Sequence, residues 1–263
     1  MYEFSYQAPT SLAAANAAIA AAEDGKLMAG GMTLIPTLKQ RLARPSDVID
    51  LSKLTELKSI KRDGNALVIG AMTPHAMVAA SDAVKAIPGL AYLAGVIGDP
   101  AVRNRGTLGG SICNNDPAAD YPAALVALGA TVTTDRRSLP AEEFFTGMFE
   151  TALELDEIVT SVSFPIPEKS GYAKFRNPAS RYAVVGVFVA KTGGTVKVAV
   201  TGAGPSVFRA AEMETALAGS FTADAIAGIK MPEAGLNSDI HASSAYRANL
   251  ITVMAKRAVT ACG

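Results

Sequence analysis

Residues 98–122 read Gly98-Asp99-Pro100-Ala101-Val102-Arg103-Asn104-Arg105-Gly106-Thr107-Leu108-Gly109-Gly110-Ser111-Ile112-Cys113-Asn114-Asn115-Asp116-Pro117-Ala118-Ala119-Asp120-Tyr121-Pro122. Glycines, short polar side chains and carboxylates are concentrated here, with almost no helical or strand periodicity, so the stretch reads as an ordered loop. A loop of this composition has little reason to be fixed except to hold a ligand. A second glycine pair lies well upstream, in Ala29-Gly30-Gly31-Met32-Thr33-Leu34. Two such loops point to a large phosphorylated cofactor held from two sides.

Around these loops the chain has 263 residues, with 24 basic side chains against 24 acidic ones. Zero net charge argues against a nucleic-acid binder, which needs a basic face. No apolar run approaches the ~20 residues of a membrane span. Met1-Tyr2-Glu3-Phe4-Ser5-Tyr6 shows neither the basic nor the apolar region of a secretion signal. Cys113 and Cys262 are the only cysteines, read as reduced thiols of a cytoplasmic protein. Two cannot hold an iron–sulfur cluster, which takes about four. His75 and His241 stand apart, so no His/Cys metal site is expected.

Patterning predicts a helix over 11–24 with Ser11 as N-cap, a short strand over 26–29, and a helix capped by Thr33 and running to Leu42. Strands are expected over 48–51, 57–60 and 66–69, the last two joined by a turn at 62–65. Helices follow from Thr73-Pro74 and over 81–86, 90–95 and 122–128. Strands are read over 130–134 and 158–164. Pro165-Ile166-Pro167-Glu168-Lys169-Ser170-Gly171 reads as a linker. Beyond it, 182–190 and 196–201 form a hairpin, followed by helices over 209–218, 222–230 and 243–260.

A glycine pair between strand and helix lets backbone amides approach an anion, and the helix N-terminus adds unpaired N–H groups. Residues 29–33 have this layout, which also fits an ordinary tight turn. There is no Gly-x-x-x-x-Gly-Lys-[Ser/Thr] phosphate loop. Gly202-Ala203-Gly204 is followed by Pro205 and fails the dinucleotide fingerprint. Thr107-Leu108-Gly109-Gly110-Ser111 offers unhindered amides and two hydroxyls suited to a pyrophosphate. Asn114, Asn115, Asp116 and Asp120 suit sugar-type hydroxyls.

These residues resemble a known family. Ala29-Gly30-Gly31-x-Thr33-Leu34 and Thr107-Leu108-Gly109-Gly110-Ser111, with Asn115-Asp116-Pro117 and Asp120-x-Pro122, are similar to the FAD subunit of molybdenum hydroxylases, above all the medium subunits of the carbon-monoxide-dehydrogenase type. Xanthine dehydrogenase carries the same domain inside a longer chain. The resemblance covers essentially the whole chain. It implies an α+β fold: a vanillyl-alcohol-oxidase-type FAD-binding domain over 1–165, in subdomains of about 1–55 and 56–165, then a small C-terminal α/β domain over 172–263 with an antiparallel sheet and helices. Ala29 to Leu34 and Thr107 to Ser111 would wrap the FAD pyrophosphate through backbone amides. Asp120 would bind ribityl hydroxyls, with Asn115 and Asp116 close by. Lys174 matches a family lysine near the isoalloxazine ring, and Tyr182 stands where an aromatic residue often lies near the flavin. Met32 departs from the family, which usually has a polar residue there.

The resemblance implies an electron-transfer flavoprotein. A large molybdenum–pterin subunit would hydroxylate substrate, a small subunit with two [2Fe–2S] clusters would relay electrons to this FAD, and an external acceptor would receive them, in a dimer of heterotrimers. No catalytic residue is expected in this chain, because the isoalloxazine does the redox chemistry. The competing reading is a self-standing FAD-dependent oxidase or dehydrogenase with its own small organic substrate.

Overall fold

The computed structural model describes all 263 residues. Three sheets organise them. The first has three parallel strands in the order Ser5–Gln7, Asp47–Asp50, Gly25–Met28. The helix Leu12–Ala21 lies beside it, burying Ala15 and Ile19 against Ile49, Leu51 and Leu54. Ser11 caps that helix by accepting from the Ala14 amide. The second sheet is antiparallel, in the order Ile60–Asp63, Ala66–Gly70, Val159–Pro165, Thr131–Thr134, Ser138–Pro140. The third is also antiparallel, in the order Lys169–Arg176, Ala183–Thr192, Thr195–Thr201, Phe208–Arg209.

Residues 183–190 are buried without interruption, because both faces of this sheet are covered. Phe188 and Ala190 join a core containing Tyr121, Leu125 and Leu128 from the helix Tyr121–Leu128, whose eight residues are all buried. Val185, Val187 and Val189 pack on the other side against Ile251, Met254 and Ala258 of the helix Ser244–Ala261. The helix Tyr121–Leu128 also touches strand Val159–Pro165 of the second sheet, so it links the second and third sheets. It ends at Gly129, whose φ of +63° suits a residue without Cβ.

The structure corrects several local expectations. Residues 98–122 are not a loop throughout: they hold the helices Pro100–Arg105 and Leu108–Asn114. Asp99 caps the first by accepting from Val102 N, with Pro100 at its first position. Thr107 caps the second by accepting from Gly110 N. The helix expected to reach Leu42 spans only Leu34–Lys39, and Arg41 turns left-handed at φ +61°. Thr33 makes no capping bond there. The second half of the linker is strand, because Lys169–Arg176 pairs along its length with Ala183–Thr192. Residues 222–230 form only the short turn Asp224–Ile226, since Gly228 and Pro232 interrupt the alanine pattern. The hairpin Phe145–Gly147 with Glu150–Thr151 carries no signal that patterning detects.

Candidate functional site

Strand Gly25–Met28 delivers Ala29, Gly30 and Gly31 to the C-terminal edge of the parallel sheet. Gly30 lies directly on the other glycine-rich segment: a Cβ there would fall 1.9 Å from the Arg105 carbonyl oxygen and 2.9 Å from Gly106 Cα. A Cβ on Gly110 would fall 3.3 Å from Ala29 Cβ. The two segments, far apart in sequence, are therefore in backbone contact. Gly31 is left-handed at φ +74°, while Thr33 is right-handed helical. The amides of Gly30, Gly31, Met32, Thr33 and Leu34 donate to no acceptor in the chain. They remain open to an acceptor from outside the chain.

The second segment contributes differently from its sequence reading. Leu108 N donates to the Thr73 carbonyl and Gly109 N to the Ala71 carbonyl, while His75 N donates to the Gly106 carbonyl. These bonds flank a bridge between Pro74 and Thr107. Gly110 N is engaged by Thr107 Oγ1 at 3.1 Å and Ser111 N by the Thr107 carbonyl. The amides of 108–111 thus hold the segment in place. Gly109 permits that closeness, since a Cβ would lie 2.6 Å from Ala71 Cβ. Toward the ligand the segment offers bare glycine backbone and the Ser111 hydroxyl, which has no partner in the chain.

Between the segments opens a cleft of about 930 Å³, near the upper end for small-molecule sites. Ala29, Gly30, Gly31, Met32, Thr33, Leu34, Thr107, Gly109, Gly110, Ser111, Asp116, Asp120 and Tyr182 all line it. Leu108 does not, being a fully buried core residue. Asn115 does not either: it is left-handed at φ +41° and its side-chain amide donates to the carbonyls of Gly147 (2.8 Å) and Glu150 (2.7 Å). Lys174 lies behind the wall, with its ammonium 2.9 Å from Asp120 Oδ1 and 3.0 Å from Oδ2. Met32, in place of a polar residue, exposes its side chain on the cleft and adds no donor there.

Sequence reasoning missed other lining residues: His75, Cys113, the segment 153–159, and Ser180 and Arg181 from the third sheet's side. Arg181 donates to the Gly98 carbonyl at 3.4 Å, and both residues line the cleft. Its left-handed φ of +62° carries no glycine to betray it. Burial shifts several of the cleft's ionisable groups. Burial, with the Arg103 charge, brings His75 down to about 4. Burial pushes the Cys113 thiol up to about 12, so it stays protonated. Burial also raises the Asp116 carboxyl, and burial followed by Asp116 and Asp120 raises the Tyr182 phenol.

Residues 2–167 match the family described as the FAD binding domain in molybdopterin dehydrogenase. Residues 170–262 match the CO dehydrogenase flavoprotein C-terminal domain. This chain belongs to the FAD-binding medium subunits of the molybdenum hydroxylases. It is 35% identical to the carbon monoxide dehydrogenase medium chain of Hydrogenophaga pseudoflava, covering 98% of this chain and 96% of that one. It is 34% identical to the nicotine 6-hydroxylase medium subunit of Paenarthrobacter nicotinovorans, with the same coverage. Among solved structures, a chain of the reconstituted CO dehydrogenase from Oligotropha carboxidovorans superposes with a TM-score of 0.90 at 31% identity, covering 99% of this chain and 97% of that chain.

The cleft's lining fits the chemistry of a flavin dinucleotide. The free amides of 30–34 match a pyrophosphate. A Cβ at Gly30 would push the two segments apart. Asp116 and Asp120 provide acceptors for hydroxyl groups in the same cleft.

Proposed function

We propose that this chain is the FAD-binding, electron-carrying subunit of a molybdenum hydroxylase complex, receiving electrons from the iron–sulfur clusters of a partner subunit and passing them to an external acceptor. The observation that carries the site is the run of free amides from Gly30 to Leu34, closed over by the Thr107–Ser111 segment. The bound FAD supplies the redox chemistry. The protein's own part is placement. The amides of 30–34 hold the diphosphate. Gly109, Gly110 and Ser111 shape the opposite wall, and Asp120 accepts from ribityl hydroxyls with Asp116 nearby. Tyr182 bounds the ring's surroundings, and Lys174 acts through its ion pair with Asp120. Leu108 and Asn115 support the cleft from behind.

The finer assignments belong to the same reading. The parallel first sheet and antiparallel second sheet support subdomains of about 1–55 and 56–165 in a vanillyl-alcohol-oxidase-type FAD domain over 1–165. The third sheet with its helix Ser244–Ala261 supports a separate domain over 172–263. The partners are a large molybdenum–pterin subunit and a small [2Fe–2S] subunit, assembled as a dimer of heterotrimers. The two free cysteines fit a cytoplasmic setting. No helix is long and apolar enough to cross a membrane.

The test is native purification of the complex with flavin and metal analysis, followed by mild dissociation. FAD is expected on this chain, with iron and molybdenum remaining on the others. Flavin absent from this chain, or a complex without iron and molybdenum, would overturn the proposal.

A further inference from the structure

Strand Lys169–Arg176 carries Tyr172 and Lys174 two residues apart, so both side chains leave the same face of the sheet. Both reach Asp120. The Tyr172 hydroxyl donates to Oδ1, and the Lys174 ammonium sits astride both oxygens. Tyr172 is 2% exposed, and the ion-paired side chains of Lys174 and Asp120 are 2% and 5% exposed.

The phenol occupies a prepared slot. Gly186 stands opposite Lys174 on the neighbouring strand, inside the buried run 183–190. A Cβ there would lie 2.4 Å from the Tyr172 hydroxyl oxygen. Glycine in a central strand weakens it, and often marks a close approach. Here that approach is the phenol, and the Phe188 ring flanks Tyr172 at 6.1 Å between centroids.

The two donors do different work. An ammonium placed symmetrically between two carboxylate oxygens neutralises the charge but leaves the group free to rotate about its bond to Cβ. A hydroxyl fixed on Oδ1 removes that freedom and distinguishes the oxygens. Asp120 itself lines the cleft, whereas Tyr172 and Lys174 stand behind it, on the wall of a separate cavity.

We infer that Tyr172, seated by Gly186, is a positioning residue that fixes the orientation of Asp120 toward the hydroxyl-bearing chain of FAD. The inference rests on the FAD reading above. Tyr172 touches no part of the cleft and acts only through the carboxylate.

The test is titration of FAD into the full apo-chain by calorimetry, for wild type, Tyr172→Phe, Gly186→Ala, Asp120→Ala and the double variant Tyr172→Phe/Asp120→Ala. Tyr172→Phe is expected to weaken FAD about tenfold, the size of one hydrogen bond to a charged group. It is also expected to alter the visible circular dichroism of the bound flavin, which reports ring orientation. Gly186→Ala, which displaces the phenol without removing it, shifts affinity the same way. In the Asp120→Ala background, which removes the acceptor, Tyr172→Phe adds nothing further. Should Tyr172→Phe fail to fold, Gly186→Ala carries the same decision. Wild-type affinity and dichroism in Tyr172→Phe or in Gly186→Ala, or an undiminished effect of Tyr172→Phe beside Asp120→Ala, overturns the inference and leaves the FAD reading standing. A wild-type chain that takes up no FAD overturns both.

Discussion

Gly30 and Arg105 are in backbone contact, so close that a single methyl group on Gly30 would overlap the Arg105 carbonyl oxygen at 1.9 Å. This contact brings the end of a parallel strand against the end of a helix far later in the chain. It sets the Gly30–Leu34 run, whose amides have no partner in the chain, beside the Gly106–Ser111 segment in one cleft.

Gly30→Ala is therefore expected to eliminate flavin binding. The obstructing atoms are backbone and cannot rotate away, so relief requires the two segments to separate, at about 1–3 kcal/mol. Gly110→Val acts from the opposite side, since its Cβ already meets Thr107 Oγ1 at 3.0 Å and Ala29 Cβ at 3.3 Å. Both variants should remain folded by far-ultraviolet circular dichroism while losing the visible flavin spectrum. A normal spectrum in either would show that the contact does not shape the site.

Asn115→Ala should separate support from binding. The Asn115 side chain holds the Gly147 and Glu150 carbonyls, and its left-handed backbone disfavours alanine. We expect a stability loss of about 1–3 kcal/mol, read from denaturant unfolding. The folded fraction should bind FAD with unchanged affinity. A specific loss of affinity in fully folded protein would return Asn115 to the cofactor.

The contrast between Gly30 and Asn115 shows what the chain reveals locally. The Gly30-Gly31 pair stands out in the sequence, where it fits a tight turn as well as an anion site; its backbone contact with Arg105 and Gly106 is visible only in the fold. Asn115 sits amid polar neighbours and suggests a ligand, but its partners lie 32 and 35 residues away, beyond the reach of any local pattern. The helix Leu108–Asn114 escaped for a related reason. Two glycines lower its intrinsic propensity, while its position is fixed by the Ala71 and Thr73 carbonyls. Strand Lys169–Arg176 is masked by polar residues, of which Ser170 and Lys174 turn inward to bond Gly89 and Asp120. Family resemblance identified the cofactor. It did not indicate that Lys174 is neutralised by Asp120, which only the pairing of strand and helix shows.

His75 is expected to make the chain's stability fall in acid. Its ring is buried, Nδ1 has no partner, and burial with Arg103 lowers it from 6.5 to about 4. Between those values the unfolded chain binds a proton that the folded one refuses, so stability falls as pH drops through this window. His75→Phe keeps a planar ring and removes the proton site. Its melting temperature should decline less from pH 6.5 to 4 than that of wild type. Equal declines would assign the acid sensitivity elsewhere.

Glu157 works in a lower window. The residue is 3% exposed, and its carboxylate accepts two bonds from Arg137, at 2.7 and 2.8 Å, one from the Thr134 hydroxyl and one from the Glu154 amide. These donors, Arg137 first, hold it at about 2 instead of the usual 4.5. The folded state thus favours the ionised form. The associated stability is complete above pH 4.5 and disappears as pH falls through about 2. Glu157→Gln turns an amide donor toward the Arg137 donors and should cost about 1–3 kcal/mol at neutral pH. The same substitution should flatten the stability profile between pH 4.5 and 2, because the titrating group is gone. Because residues 153–159 line the cleft, the loosened segment should also weaken FAD binding. Thermal melts across this range, with and without FAD, check both effects. A Glu157→Gln variant as stable as wild type at neutral pH, with the same acid profile, would show that the Arg137 pair contributes nothing net.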